Sequence, residues 1–204
     1  MSKHLDQDAF LTVSGKRSGL YKDRGSKFIY FSFPVENEEE IKAELANLRK
    51  IYFDASHHCY AWVLGPKGTQ SRANDDGEPN HAAGDPILGQ IRSHQLTNVL
   101  IVVVRYFGGT KLGVSGLIQA YKTSAAMALE ESEIIEKKVM EGLVIQFGYP
   151  QMNSVMKIVK AENLEIKNQE LGLNCLIKLE MRKGILNSVR EKLEEIDDLV
   201  IKSD

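Results

Sequence analysis

The chain has 204 residues, and 43% of them are hydrophobic, which is enough for one large core or two small ones. This composition excludes a largely disordered protein. The 26 basic and 28 acidic residues leave a net charge of -2, so overall charge does not draw the chain to nucleic acid or to an anionic membrane. Any site for an anion must therefore be a local patch.

Cysteine use and hydropathy bear on the location of the protein. Cys59 and Cys175 lie far apart without CxxC spacing, and the chain does not open with the charged and apolar segments of a secretion signal. The longest purely apolar run, from Val99 to Val104, is far shorter than the roughly 20 residues that cross a bilayer. We therefore expect a soluble, cytoplasmic protein with reduced thiols and no contact with membranes.

The first 136 residues are predicted to form short strands and helices. The predicted elements are strands at 10–13, 19–21 and 26–35, a helix at 36–52, a strand at 58–64, a polar loop at 65–79, a helix ending near 94, a strand at 99–104 and a helix at about 114–131. Ile41, Leu45 and Leu48 recur on one side of the first helix, and its early glutamates oppose the positive end of the helix dipole. The run VLIVVV at 99–104 is apolar on both faces, which is typical of a central strand.

The last third of the chain shows the clearest periodicity. Leu143, Ile145 and Phe147 alternate as in a half-buried strand, and a second alternating run extends from Leu173 to Met181. Helices are predicted at 150–159 and 185–196, and short strands at 164–167 and 198–202. The resulting order βαββαβ is that of a ferredoxin-like sandwich. We therefore expect two domains, 1–136 and 137–204, with the boundary in the charged stretch 130–138.

A glycine-rich segment, RYFGGTKLGVSGLIQAY, follows the predicted central strand and runs from Arg105 to Tyr121. Its glycines permit positive φ and close backbone approach, and the next helix presents free N–H groups at its start. Together with Lys111 and Arg105, this end would suit a phosphate from a nucleotide or from a nucleic-acid backbone. The spacing fits neither GxxxxGK[ST] nor GxGxxG, and a simple tight turn is the alternative interpretation.

Four segments together carry a more specific signal. They are GSKF at 25–28, DASHHCYAW at 54–62, RANDDGEPNHAAGDPIL at 72–88 and RYFGGTKLG at 105–113. In this order they resemble the IMPACT family, and in particular its bacterial members of the YigZ type. The resemblance covers essentially the whole chain, because those members also have a ferredoxin-like C-terminal domain.

The resemblance implies an α+β fold. Its N-terminal domain would be a two-layer α/β domain with a left-handed βαβ crossover, like the second domain of a ribosomal small-subunit protein and the fourth domain of elongation factor G. The C-terminal domain would be like the fifth domain of that factor. Eukaryotic members of the family regulate translation by competing for a partner of the kinase that phosphorylates an initiation factor. For the bacterial members the resemblance implies no established reaction.

The family pattern and the glycine-rich segment select two groups of residues. The candidates for binding an anion or nucleic acid are Lys27, Arg72, Arg105, Tyr106, Gly108, Gly109, Lys111 and Gly113. The remaining family-motif residues are His57, Cys59, Asp75, Asp76, Gly77 and Glu78. The chain departs from the family where His81 and Ala82 replace a usual Gly-Thr pair and where Ser115 replaces a frequent glycine. These changes put in doubt a role for a backbone N–H group or a hydroxyl at 81–82, and they leave the helix entry less open.

Simpler roles exist for several of these residues. His57 and Cys59 are predicted to share one face of a strand, with no second cysteine nearby to complete a zinc site. A Cys59 nucleophile with His57 or His81 as base would need a lowered thiol pKa. The sequence DDGEP at 75–79 could hold magnesium through its carboxylates or could form an ordinary turn. Arg105 could instead pair with Asp75 or Asp76, and Cys175 is expected in a core.

From these features we predict a translation-associated regulatory protein without catalysis, metal or cofactor. It would bind RNA, the ribosome or a translation-regulating protein through the glycine-rich anion-binding loop. The alternative is an enzyme that acts on a phosphate-bearing small molecule, with the acidic residues of DDGE holding magnesium and Lys111 orienting the phosphate. The sequence makes no prediction about the oligomeric state.

Overall fold

The computed structural model describes residues 8–202. Contacts divide them into an N-terminal unit, Phe10–Lys137, and a C-terminal unit that comprises residues 138–202 together with Asp8 and Ala9. The predicted domains 1–136 and 137–204 stay a prediction. Among the described helices, none combines the length and the apolar character needed to cross a membrane.

The N-terminal unit is built on a five-stranded sheet with the order β2-β3-β6-β4-β5, in which every neighbouring pair is antiparallel. The strands in this part of the chain are β1 (Ala9–Val13), β2 (Arg17–Asp23), β3 (Ser26–Pro34), β4 (His57–Leu64), β5 (Gln70–Asn74), β6 (Val99–Tyr106) and β7 (Ile134–Lys138). The helices are α1 (Glu38–Ile51), α2 (Gly84–Ser93) and α3 (Gly113–Glu130). The predicted central strand is therefore β6, and it lies in the middle of the sheet.

Helices cover both faces of this sheet, which makes three layers rather than the two that the family resemblance implied. On one face, Cys59, Ile101 and Val103 pack with α2 and α3, and we call this the α2/α3 face. On the other, Leu100 and Val102 pack with α1, and we call this the α1 face. The reason lies in β6, whose side chains are apolar on both sides and need cover on both sides.

The start of α1 shows how a local sequence defines a helix end. Asn37 is the N-cap, and its side-chain oxygen accepts a hydrogen bond from the N–H of Glu40 at 2.9 Å. The Glu40 carboxylate in turn accepts from the N–H of Glu36 at 2.8 Å. These bonds satisfy backbone donors at the helix start and supplement the favourable charge of the glutamates in the first turn.

Two predicted connections contain strands instead. The predicted polar loop 65–79 contains β5, an edge strand of sequence QSRAN that pairs with β4. The charged stretch proposed as a domain boundary contains β7, which pairs with β1 in a separate two-stranded sheet. The sequences QSRAN and IIEKK do not alternate apolar and polar residues, so neither strand shows the pattern by which a strand is identified in a sequence.

The C-terminal unit has the predicted element order βαββαβ. Its elements are β8 (Met140–Gly148), α4 (Met152–Ala161), β9 (Glu165–Glu170), β10 (Asn174–Arg182), α5 (Leu186–Glu194) and β11 (Val200–Lys202). The sheet order is β11-β8-β10-β9, with antiparallel neighbours. Alternate residues of β8 and β10, including Cys175, pack with both helices in one core, as their period of two requires.

Asp8 belongs to the C-terminal unit, although the sequence analysis placed it in the first domain. Its carboxylate accepts hydrogen bonds from Arg182 Nη2 at 2.9 Å and from the N–H of Gly184 at 2.9 Å. The hydrogen bond with Arg182, followed by that with Gly184, lowers the pKa of Asp8 to about 2. The bonds from these two donors to a charged aspartate explain why Asp8 groups with the last third of the chain.

Candidate functional site

The predicted site lies where β6 ends and α3 begins. Residues 107–112, which we call the β6–α3 turn, connect Tyr106 to Gly113. Gly108 packs so closely on the turn between β2 and β3 that a Cβ atom at this position would overlap the backbone of Gly25 and Ser26. The N–H of Gly108 also donates to Ser26 Oγ at 3.2 Å. The β6–α3 turn is thus held against the β2–β3 hairpin.

Arg105 is buried beneath this turn and is only 5% exposed. Its Nη1 lies 2.6 Å from Oε1 of the buried Glu78, and the Tyr121 hydroxyl donates to the same oxygen at 2.7 Å. The guanidinium also lies over the ring of Phe28, 5.5 Å from its centroid. Arg105 is therefore not the accessible cation that was predicted from the sequence. Its acidic partner is Glu78 and not Asp75 or Asp76. Arg105 faces inward because its register partners, Phe28 and His57, lie on the α2/α3 face.

Asp75 caps the start of α2 from outside the helix. Its carboxylate accepts from the backbone N–H groups of His81 and Ala83 at 2.9 Å and of Gly84 at 2.8 Å. Ala83, the N-cap residue, has no side-chain oxygen of its own, so Asp75 supplies the acceptor. Burial raises the pKa of Asp75, but the three N–H groups and the charge of His81 outweigh burial and hold the pKa below its ordinary value. Although His81 and Ala82 replace the usual Gly-Thr pair, the backbone N–H of His81 still donates a hydrogen bond to Asp75.

The rest of the DDGEP segment forms a turn. Asp76 Oδ2 accepts from the N–H of His58 at 2.6 Å, and its Oδ1 lies 3.4 Å from Arg49 Nη2. Gly77 has a φ of 87°, as expected for glycine in a tight turn. Oxygens of all three carboxylates are already bound by protein donors, and no group of three potential metal ligands was found within residues 8–202. The turn interpretation thus agrees with the structure better than a magnesium site does.

His57 and Cys59 lie on the α2/α3 face, and His58 lies on the α1 face. The sequence predicted that His58 would face away from the other two. His57 Nδ1 is 2.8 Å from the carbonyl oxygen of Asp76, a contact that requires a proton on Nδ1. His57 Nε2 is then 3.8 Å from Glu78 Oε1. Cys59 is fully buried, with Sγ 3.0 Å from the carbonyl of Asp75 and 3.3 Å from the Tyr121 hydroxyl. Burial raises the pKa of the Cys59 thiol well above its ordinary value.

The remaining candidates separate into two locations. Lys27 is exposed on the α1 face, directly beside Tyr106 in the register of β3 and β6. Lys111 is exposed in the β6–α3 turn and forms no hydrogen bond or ion pair with any other described residue. Arg72 lies on β5, at the sheet edge opposite to β2. The structure thus brings Lys27, Tyr106 and the turn together and leaves Arg72 apart.

Comparison with known proteins identifies the family. Residues 24–129, more than half of the chain, match the family model described as the Impact N-terminal domain. The chain belongs to the IMPACT family. It is 32% identical to the IMPACT family member YigZ of Escherichia coli over 172 residues, which cover 83% of this chain and 84% of YigZ.

Two further comparisons show how far the likeness of this IMPACT-family chain extends. The Protein IMPACT homolog of Saccharomyces cerevisiae is 37% identical over 100 residues, covering 45% of this chain and 36% of the yeast protein. A crystal structure described as that of a hypothetical protein has a TM-score of 0.75 and 27% identity, and it covers 97% of this chain and 98% of that one. The match to YigZ therefore covers 83% of this chain, whereas the match to the yeast protein covers 45% of it.

The buried thiol of this IMPACT-family chain leads to a prediction about reactivity. We expect iodoacetamide not to modify Cys59 in the native protein at neutral pH, because the attacking species is the thiolate and burial keeps this thiol protonated. Mass spectrometry after alkylation of native and denatured protein measures this directly. The variant Cys175→Ser removes the second buried thiol as a source of signal. Rapid modification of Cys59 in the native variant would contradict the prediction and indicate a reactive cysteine.

Three residues that lie beside the candidates were not selected from the sequence of this IMPACT-family chain. Tyr121 binds Glu78 but occurs in a helix whose buried face is otherwise apolar or small. Lys22 lies directly opposite Lys27 in the β2–β3 hairpin. Phe107 remains 52% exposed in the β6–α3 turn. The excess of basic residues between 10 and 35 was a sequence signal that could have identified Lys22.

Proposed function

We propose that this IMPACT-family chain is a translation-associated regulatory protein that binds RNA, on the ribosome or free, through the β6–α3 turn and without catalysis. The observation that carries the proposal is the environment of Lys111, which is exposed and has no partner among residues 8–202. It precedes α3, whose first turn contains no acidic residue and receives no hydrogen bond from a described capping side chain. Free N–H groups and a lysine at a helix start favour a phosphate.

The translation-related part of the proposal rests on family membership. It includes a location in the cytoplasm, and a translation-regulating protein is the second candidate partner. We also assign the C-terminal unit to the ferredoxin-like class, supported by its βαββαβ order and by the sheet order β11-β8-β10-β9. The likeness of the two units to the fourth and fifth domains of elongation factor G, with a left-handed crossover in the first, belongs to the same proposal.

The enzymatic alternative receives less support from the geometry. A magnesium site at DDGE would have to compete with backbone N–H groups for Asp75 and with Arg105 for Glu78. A Cys59 nucleophile would have to lose a proton that burial retains. His57 is partly exposed and has its Nδ1 oriented by Asp76, but no observation identifies a substrate for it.

The experiment that tests the proposal measures binding of a labelled RNA fragment by fluorescence anisotropy at about 50 and 200 mM salt. We expect Lys111→Ala to weaken binding and to reduce the slope of log affinity against log salt by about 0.7 to 0.9, the value for one lost phosphate contact. The melting temperature should stay unchanged, because Lys111 has no hydrogen bond or ion pair to lose within residues 8–202.

Lys67→Ala is the matched control. Lys67 is also exposed, but it follows β4 and therefore lies at the opposite end of the sheet from the β6–α3 turn. Equal affinity and equal salt slope for Lys111→Ala, Lys67→Ala and the parent would show that the turn has only a structural role.

A further inference from the structure

The β2–β3 hairpin is strongly basic in a chain that is slightly acidic overall. Residues 10–35 contain Lys16, Arg17, Lys22, Arg24 and Lys27 but only one acidic residue, Asp23, which gives a local charge of +4 against -2 for the whole chain. This segment includes both strands of the hairpin and the turn that contacts Gly108. Lys22, Arg24 and Lys27 lie at the turn end of the hairpin, whereas Arg17 lies at its other end, so the candidate patch for a polyanion is the turn end.

Two of these cations are cross-strand neighbours of like charge. Lys22 and Lys27 are directly opposite in the antiparallel register of β2 and β3, and neither forms an ion pair or hydrogen bond with another described residue. Like charges in this arrangement destabilise a sheet. Lysine on an edge strand is often explained by protection against edge pairing. That explanation applies to Lys22 on β2 but not to Lys27, because β3 is paired on both sides.

Two aromatic side chains, those of Tyr106 and Phe107, lie next to Lys27. Tyr106 is the register partner of Lys27 on β6, and its hydroxyl donates to Asp54 Oδ1 at 2.6 Å, which holds the ring in place. Phe107, with half of its side chain exposed, is next along the chain. Together with Gly25, Lys27 and Ile29 these two rings line a cavity of about 250 Å³. This volume is below the roughly 300 Å³ of the smallest ligand pockets, so it suits one planar group rather than a whole nucleotide.

We infer that Lys22, Lys27, Tyr106 and Phe107 form a platform for single-stranded RNA. The two lysines bind neighbouring phosphates, and one unpaired base enters the cavity and stacks on Phe107. A cationic groove beside exposed aromatic rings is the arrangement by which proteins bind single strands without reading their sequence. A base within a duplex is not free to enter such a cavity, so the platform distinguishes single strands from duplexes. This inference rests on the proposed function and specifies the form of RNA.

The test compares three fluorescent probes by anisotropy, namely oligouridylate of about 12 nucleotides, an RNA duplex of the same length and inorganic polyphosphate. We expect the single strand to bind more tightly than either of the others. Lys22→Gln and Lys27→Gln should each weaken its binding and reduce the salt slope by about 0.7. Neither should lower the melting temperature, since each substitution removes a repulsion between like charges.

Substitutions of Phe107 test whether a base stacks on this ring. Phe107→Ala should weaken binding of oligouridylate by about five- to 150-fold, the range found for the loss of one stacked base, and should leave polyphosphate binding unchanged. Phe107→Trp should retain the affinity, because it keeps an aromatic surface. Lys67→Gln is the charge control from the far end of the sheet.

The outcomes separate this inference from the proposed function. If Lys111→Ala weakens RNA binding while Phe107→Ala and both hairpin variants bind oligouridylate as the parent does, the platform is wrong and the proposed function stands. Equal affinity for single strand, duplex and polyphosphate overturns the platform too. If none of the RNA probes binds at low salt, both proposals are wrong.

Discussion

Replacing Glu78 by leucine is expected to lower the free energy of unfolding by about 3–5 kcal/mol, the range for removal of one partner from a buried ion pair. Glu78 Oε1 accepts from Arg105 and from Tyr121, and the side chains of the ion pair are 4% and 7% exposed. Glu78→Leu would leave the guanidinium charged and without an acidic partner in a buried place. The expected loss of stability comes mainly from this uncompensated charge and not from the absent Glu78–Arg105 hydrogen bond itself.

Unfolding in urea, followed by tryptophan fluorescence, measures the effect, because Trp62 is the single tryptophan of the sequence and is buried in the N-terminal unit. Lys111→Ala is the control and should unfold as the parent does. The double variant Glu78→Leu/Arg105→Met should lose less than Glu78→Leu alone, since it removes the stranded charge and leaves the Tyr121 hydroxyl in contact with the Cys59 thiol. If Glu78→Leu lowers the free energy of unfolding by less than about 1 kcal/mol, the Glu78–Arg105 pair is screened by solvent, and the prediction is wrong.

Gly108→Ala is expected to be the second most damaging substitution, with a loss of about 3 kcal/mol, at the upper end of the range for overpacking. Its φ is not in the left-handed region, so the requirement for glycine is steric. An added Cβ atom would overlap the backbone of Gly25 and Ser26, which has no rotamer by which to move away. The β6–α3 turn and the β2–β3 turn would have to separate, which would also displace Phe107 from the cavity and weaken RNA binding.

Gly109→Ala is the matched variant at the next position. Gly109 has a φ of 86°, but apart from its two chain neighbours no described residue has an atom within 4 Å of its added Cβ. We therefore expect a loss of about 1–2 kcal/mol from backbone strain alone. RNA binding should be nearly unchanged, because neither turn has to move. Thermal unfolding and anisotropy of the two variants test the difference. Equal stability and equal RNA affinity for Gly108→Ala and Gly109→Ala would show that the two turns are not packed as described.

Local patterns in the sequence determined most of the helices and strands. The alternation from Leu173 to Met181 predicted β10, and the spacing of Ile41, Leu45 and Leu48 predicted α1. The four ordered segments identified the family, which the family model and the bacterial relatives confirm. The run VLIVVV, which is apolar at every position, predicted a central strand that is covered on both faces. Each predicted helix or strand depends on residues within one or two turns or within one strand, so it can be found without knowing which elements meet.

The tertiary structure decided which side chains meet. Glu78 and Arg105 are 27 residues apart, and no local pattern states that they form a pair while Asp75 caps α2. Lys22 and Lys27 become neighbours only through the register of the hairpin. Likewise, α1 adds a third layer because its apolar side meets the free face of the sheet. Each of these depends on strand register and packing between distant segments, where the energy of a contact is set by burial and by neighbours that the local sequence does not contain.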